Sequence, residues 1–215
     1  MTRFTFLLIF VFVILLTACT KTKRDYYDDG TLKSEIQKKG KKYHGRATWY
    51  YSNGNKQHEC NYVNDTLQGK SVRWFINGKI HSAENYKDNC LHGLVKSFNL
   101  NGNLISEQYY YHDTLDGLYL LYYPSGQIKI EGAYIKGMFD GQWLYYEDDG
   151  AIVGIGDFIN GTGKQKAWYG NGQLKRQNNY IDNVKHGRET WYNADGTIQK
   201  VLIFESGELI STEEN

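Results

Sequence analysis

One pattern of about 24 residues occurs eight times along the chain. An aromatic residue stands four positions before each marker glycine of the pattern. The glycines recur at a spacing of 24 five times, then 22, then 24, at Gly30, Gly54, Gly78, Gly102, Gly126, Gly150, Gly172 and Gly196. A period in this range is typical of proteins that stack one small supersecondary unit, whereas a catalytic motif is normally written once. The chain is therefore predicted to be a repeat protein.

The spacing within the pattern indicates that each unit is a β-hairpin. Dipeptides such as Asn53-Gly54 and Asp149-Gly150 are typical of tight type I′ turns, which need positive φ. The flanking segments are rich in Tyr, Trp, Ile and Val, which suit a pleated surface. The regular columns lie four before, two after and eight after each glycine, so they are predicted to form one face and the irregular columns the other.

These observations predict an all-β fold, an elongated single-layer sheet or solenoid of about eight stacked 24-residue hairpins, with about 16 strands. Where the spacing falls to 22, between Phe158 and Gly163, the two missing residues are assigned to the loop between units. Such a loss keeps the sheet register on both sides. The predicted structural positions of the repeat are Gly54, Gly78, Gly102, Gly126, Gly150, Gly172, Gly196, Tyr62, Tyr86, Tyr110, Tyr134 and Tyr180.

Three segments resemble a known family. Tyr86–Gly93 (YKDNCLHG), Tyr134–Gly141 (YIKGMFDG) and Tyr180–Gly187 (YIDNVKHG) are similar to the Y-x-x-G-x-x-x-G core of MORN repeats, especially the variant in bacterial proteins labelled YwqK-type antitoxins. The resemblance implies stacked hairpins and a role in assembly or tethering. The chain departs from the pattern where Asp65, Asn89, Asp113 and Asn183 replace the first glycine, but Asp and Asn also tolerate left-handed backbone.

The N-terminus has a different composition. Residues 6–16 are an apolar run too short to span a bilayer, and the sequence LTAC at 16–19 follows. This resembles the signal and lipobox of bacterial lipoproteins. It predicts a signal peptide over 1–18, a lipidated Cys19 in a tether over 19–25, and a repeat domain over 26–215. The alternatives are a plain secretory signal or an uncleaved anchor.

Two further features of this end bear on location. Thr20 follows Cys19, and the absence of Asp there suggests the outer membrane by resemblance to Gram-negative sorting. Lys21, Lys23 and Arg24 would lie near lipid headgroups or would serve only as a solubilising linker.

Composition argues against several functions. The net charge of +1 lacks the basic excess expected for nucleic-acid binding. No nucleophile, acid–base or metal-ligand spacing was found, so we expect no enzyme activity, metal or cofactor. Cys60 and Cys90 would form either a disulfide or two separate thiols.

Aromatic residues in the irregular columns are the candidate binding residues. They would either cover the second face of a thin sheet or bind a protein or sugar rings. The candidates are Trp49, Tyr51, Phe75, Tyr123, Trp143, Tyr145, Tyr169 and Trp191.

The first functional hypothesis is a non-enzymatic, lipid-anchored module that binds an unidentified protein partner at the bacterial cell envelope. The alternatives are a lipoprotein that binds glycan or peptidoglycan, and an antitoxin-like neutraliser of an envelope toxin, as the family label implies.

Overall fold

The computed structural model describes residues 20–214, so the predicted signal peptide and Cys19 lie outside the described residues. Within this range every regular element is a strand, and one antiparallel sheet contains all twenty. The strands are β1 Lys21–Tyr26, β2 Leu32–Lys39, β3 Lys42–Tyr50, β4 Lys56–Val63, β5 Thr66–Leu67, β6 Gly69–Trp74, β7 Ile80–Lys87, β8 Cys90–Leu91, β9 Gly93–Phe98, β10 Leu104–Tyr111, β11 Thr114–Tyr122, β12 Ile128–Ile135, β13 Met138–Tyr146, β14 Ile152–Ile159, β15 Thr162–Trp168, β16 Leu174–Ile181, β17 Val184–Lys185, β18 Gly187–Tyr192, β19 Ile198–Glu205 and β20 Glu208–Glu214.

Strands pair with their neighbours in chain order, and the sheet does not close. The predicted all-β fold of stacked hairpins is confirmed. The strand number exceeds the expected 16 for two reasons. Bulges divide three strands into two pieces each, β5 and β6, β8 and β9, and β17 and β18, and β20 starts a ninth hairpin.

The first strand extends into the predicted tether. Residues from Lys21 to Asp25 belong to β1 and pair with Lys38 to Ser34 of β2. The predicted boundary at residue 26 therefore differs from the structure, since the sheet already begins at Lys21. Its exposed edge carries Lys23 and Arg24, and charged side chains discourage edge-to-edge association of sheets.

The turns at the marker glycines are not of the predicted type. At Asn53-Gly54 only Gly54 has positive φ, 84°. There the Gly54 N–H donates to the Tyr51 carbonyl and the Tyr51 N–H donates to the Asn55 carbonyl. This is a three-residue loop with a glycine bulge, so the prediction of type I′ turns at these dipeptides is wrong. All the predicted repeat glycines nevertheless have positive φ, as the pattern requires.

Tight two-residue turns occur instead between units, where both central residues have positive φ. Examples are Asn64 and Asp65, with φ of 52° and 70°, and Asp182 and Asn183, with φ of 51° and 66°. Asp and Asn thus occupy the left-handed positions where stricter repeats have glycine, as expected from their tolerance of this conformation.

These Asp and Asn side chains also join consecutive units. An oxygen of Asn89 accepts a hydrogen bond from the Leu67 N–H at 2.7 Å, and the Leu67 carbonyl accepts from the Asn89 N–H at 3.1 Å. Asp65 makes the same pair of bonds with Tyr43, and Asp113 with Leu91. Asp or Asn in place of glycine therefore adds one hydrogen bond between neighbouring turns.

Variants of Asn89 separate its two contributions. Asn89→Gly keeps the backbone conformation but removes the side-chain hydrogen bond, so we expect the free energy of unfolding to fall by about 1 kcal/mol. Asn89→Ala keeps a Cβ at positive φ but loses the polar side chain that makes Asn tolerant of this conformation, which brings the expected loss to about 2 kcal/mol. Urea unfolding measures both, and an alanine variant as stable as the glycine variant would contradict this account.

The prediction that the regular columns together form one face is wrong. Residues that pair directly across a hairpin lie on the same face, and an even offset after the glycine pairs with an odd offset before it. Tyr62 pairs with Gly45 and Cys60 with Ala47, and Ile36, Ala47 and Cys60 form a buried core against which Tyr62 packs. We call this side, which carries Tyr62, Tyr86, Tyr110, Tyr134 and Tyr180, the tyrosine face.

The opposite side carries Glu35, Glu59, Glu107 and Glu131, and we call it the glutamate face. The aromatic residues four before each glycine lie here, as shown by the Tyr146 hydroxyl, which donates to Glu131 at 3.2 Å. One row of directly paired residues crosses this face from Glu35 through Thr48, Glu59, Val72, Ala83, Lys96, Glu107, Leu120, Glu131, Leu144, Ile155, Lys166, Gln177 and Thr190 to Val201.

Candidate functional site: a groove at the short repeat

The residues missing from the short repeat come from a strand and not from a loop. The turn at Asn160-Gly161 is two residues long, like the other tight turns, and both residues have positive φ. In the preceding unit Glu131 pairs with Leu144 and Ala133 with Asp140, so one residue of β12 opposes three of β13. The β14–β15 pair has no such bulge and runs one to one from Gly154↔Ala167 to Ile159↔Thr162. The predicted loop deletion is therefore wrong.

The predicted register on both sides is confirmed. Gly141 pairs with Phe158 before the deletion, and Gly163 pairs with Tyr180 after it, as Gly117 pairs with Tyr134 in a full-length unit. The absence of the bulge lets β14 and β15 lie close, since a Cβ on Gly163 would be 2.0 Å from the Asp157 carbonyl oxygen.

A groove of about 760 Å³ lies on the sheet at this place. Its lining is Gly141, Gln142, Ile155, Asp157, Phe158, Ile159, Thr162, Gly163, Lys164, Lys166 and Trp168. Gln142, Asp157 and Lys164 are direct neighbours across β13, β14 and β15. A cavity of this size is typical of sites for small molecules or a few side chains of a partner.

The loss of the bulge also frees the side chain at the centre of this row. In full-length units the corresponding residue is tied to the bulge: Asn85 Nδ2 donates to the Leu94 carbonyl at 2.7 Å, and Asn179 Nδ2 donates to the Arg188 carbonyl at 3.0 Å. Asp157 holds this position in the groove but has no bulge beside it. Its exposed carboxylate is therefore available to a ligand.

The predicted surface aromatics are not brought together. Trp49, Trp143, Tyr145 and Trp191 lie on the tyrosine face. Tyr51, Phe75, Tyr123 and Tyr169 lie at the three-residue loops along one edge of the stack. The structure thus offers no continuous platform of these eight rings.

Trp143 is not a surface residue, and its inclusion among the surface candidates is wrong on that point. Its side chain is 3% exposed. The indole lies against the rings of Tyr134 and Phe139, with centroids 5.1 and 4.8 Å away, and its Nε1 donates to the Ala133 carbonyl. Gly132 makes room for it on β12, since a Cβ there would lie 2.2 Å from the indole.

The loop tyrosines hold consecutive units together. The Tyr51 hydroxyl donates to the Trp74 carbonyl at 2.9 Å, and Tyr123 and Tyr169 donate in the same way to Tyr146 and Tyr192. Phe75 lacks the hydroxyl and packs on His81 at 4.6 Å. These residues therefore contribute to the stacking of units, whatever else they bind.

The remaining three candidates have specific partners on the tyrosine face. Burial raises the pKa of Tyr145 well above its usual range. The Trp191 ring lies between Arg176 and Lys200, at 5.1 and 5.3 Å, and its Nε1 donates to the buried Glu189 at 2.8 Å.

Trp49 stacks on His58, with ring centroids 5.2 Å apart and an angle of 15°. The pKa of His58 is lowered from its ordinary 6.5, first by burial and then by the Arg73 guanidinium, with Glu84 opposing. The folded state therefore resists protonation of this ring, which also lies 2.9 Å from the Ser71 hydroxyl.

The lowered pKa predicts an acid-sensitive stability. Above the unfolded pKa of about 6.5 both states are neutral at His58, and below it the unfolded state gains a proton first. Stability should therefore fall as the pH drops from about 6.5 towards the lower folded pKa. His58→Gln should reduce this loss when urea midpoints are compared at about pH 7.5 and 5.5, and an unchanged loss would contradict the assignment.

The two cysteines do not form a disulfide in the structure. Cys60 and Cys90 are free thiols, and burial raises the pKa of Cys60, which makes its reactive thiolate scarce. Among residues 20–214 no three side chains of His, Cys, Asp or Glu form a group that could hold a metal ion. No helix in the described part of the chain has the length and apolarity to cross a bilayer.

The repeat units match one family model, the MORN repeat variant. The matches cover residues 43–64, 91–112, 115–136, 162–182 and 185–206, about half of the chain. The chain belongs to the MORN repeat variant family. No curated protein matched it.

MORN repeats typically mediate binding to proteins or membranes, and the family is not a known enzyme family. In this chain the MORN hairpins also continue through the unmatched residues 65–90 and 137–161, where β6, β7, β13 and β14 keep the same pairing. The groove lies at the start of the fourth matched MORN repeat, which is one residue shorter than the others. The 22-residue spacing was the sequence signal for it, although spacing alone did not reveal a groove.

Proposed function

We propose that this MORN repeat protein is a non-enzymatic, lipid-anchored module of the bacterial cell envelope that binds a protein partner through its glutamate face. Cys19 would carry the lipid, and the outer membrane would be its location. The groove at β13–β15 is the observation that supports binding at this face, because it is the one large departure of the described repeat from regular stacking.

The chemistry of the face fits a protein better than a sugar chain. Stacking platforms for sugar rings need several exposed, adjacent aromatic rings. The candidate aromatics are divided between the opposite face and the loops. The aromatic residues four before each glycine do lie on the glutamate face, but from Tyr50 to Tyr192 they are partly buried. The groove instead combines one indole, aliphatic side chains and charges of both signs, a mixture that is typical of protein interfaces.

Site-specific photo-crosslinking in the native membrane tests the proposal. A photoreactive phenylalanine analogue replaces Ile159, which is 76% exposed at the groove, and in a matched control it replaces Leu100, which is 60% exposed at a distant loop. We expect one protein adduct from position 159 that is absent from position 100. Equal adducts at both positions, or envelope glycan as the only product at 159, would contradict the proposal.

Cys19→Ser in the same experiment tests the anchor. The variant should leave the membrane fraction, and its adduct at position 159 should disappear because the protein no longer meets its partner. A variant that stays in the membrane and gives the same adduct would show that Cys19 does not set the location.

A further inference from the structure

The lysines of the groove have no carboxylate partner, unlike Lys56 and Lys96 of the same face. Lys96 pairs with Glu107 at 2.6 Å and Lys56 with Glu59 at 2.7 Å. Lys166 stands in the same cross-sheet row as these glutamates, but its direct neighbours are Ile155 and Gln177. The row therefore leaves an uncompensated ammonium group at the groove.

Lys164 is the second cation of the groove. It lies opposite Asp157 on one side and Asn179 on the other. Within residues 20–214 neither Lys164 nor Lys166 comes within 4.0 Å of a carboxylate oxygen. With one carboxylate and two ammonium groups, the groove has a net charge of +1, and both lysines are exposed.

Apolar side chains lie beside these charges. Ile155 is the central residue of the groove on β14, Trp168 lies at the end of β15, and Ile159 projects into solvent. Burial of such side chains by a ligand is favourable in proportion to the apolar area covered. A fitting ligand thus has an anionic group within a few ångströms of a bulky apolar group.

We infer that the groove binds an acidic peptide segment of the partner, with an Asp or Glu beside a large apolar side chain. The inference rests on the proposed function and names the chemistry that the partner presents. The peptide carboxylate accepts hydrogen bonds from Lys164 and Lys166, its apolar side chain covers Ile155 and Trp168, and Asp157 and Gln142 are placed to bind backbone N–H groups. Hydrogen bonds between charged groups are stronger than neutral ones, and those at an exposed groove weaken with salt.

Selection from a library of random peptides displayed on phage tests this inference. The bait is the full chain, and the test variant is K164Q/K166Q. A matched control, K41Q/K42Q, removes the same charge at exposed lysines of the β2–β3 turn, away from the groove. Circular dichroism and urea midpoints establish that the three proteins are equally folded.

We expect the unmodified chain and K41Q/K42Q to enrich the same peptides, with Asp or Glu next to an aromatic or branched apolar residue, and K164Q/K166Q to lose them. For one enriched peptide, replacement of its acid by the amide should weaken binding about tenfold, as should K164Q/K166Q. Enrichment without an acidic preference, enrichment retained by K164Q/K166Q, or no enrichment would overturn the inference.

The two tests can fail separately. A protein adduct at position 159 together with peptides that lack acids would retain the proposed function and reject the acidic peptide. Loss of the adduct with retained acidic peptides would show a peptide groove whose partner is not an envelope protein.

Discussion

Gly163→Ala is expected to lower the free energy of unfolding by about 3 kcal/mol, because no space exists for the added methyl group. A Cβ at this position would lie 2.0 Å from the Asp157 carbonyl oxygen and 2.7 Å from the Phe158 ring. The first of these atoms is backbone, so relief requires β14 and β15 to separate. Their pairing has no bulge that could absorb the shift.

Gly170→Ala is the matched control. Gly170 does not have positive φ, and a Cβ there would meet nothing within 4 Å. We expect its stability to change by no more than about 0.5 kcal/mol. Urea unfolding followed by circular dichroism measures both variants. Similar midpoints for Gly163→Ala and Gly170→Ala would mean that the two strands are farther apart than described.

Trp143→Ala is expected to lower the free energy of unfolding by about 3–5 kcal/mol, the usual cost of truncating a large buried aromatic residue. Its ring lies among Tyr119, Tyr134 and Phe139, and its exposed fraction is 3%. Gly132, which lies against the ring, has no Cβ that could fill the space. The cavity would therefore remain on the tyrosine face.

Trp168→Ala provides the contrast, since Trp168 lines the groove and is only partly buried. We expect it to reduce crosslinking at position 159 with a smaller loss of stability, about 1–2 kcal/mol. Trp143→Ala should reduce stability without changing the adduct where the variant remains folded. The opposite pattern, with the stronger binding defect at Trp143, would restore Trp143 as a ligand-binding residue.

Much of the fold could be predicted because the signals are local. A glycine with positive φ and short β-rich flanks specify a hairpin within one unit, and Gly54 and its counterparts all have that conformation. Asp65 and Asn89 could likewise be assigned to left-handed turns from their own chemistry. The turn types were wrong because an Asn-Gly pair also suits a three-residue loop with a glycine bulge.

The candidate site could be predicted only in part. The 22-residue spacing marked the correct unit. The missing residues correspond to the bulge between β12 and β13, and this correspondence is visible only in the strand pairing. Trp143 stands in an irregular column and Trp168 in the regular column four before Gly172, yet Trp143 is buried and Trp168 lines the groove. The columns alone did not reveal this, since burial depends on the residues of adjacent strands.

By itself the sequence determined the repeat, its β-hairpin unit, the all-β class and the positions of the turn glycines, because each follows from backbone preferences within about 24 residues. Only the tertiary structure decided which columns share a face, where the groove lies and which lysines lack a partner. The physical reason is that a face is set by the register between strands, and a slip of one residue would move every side chain of a strand to the other side of the sheet.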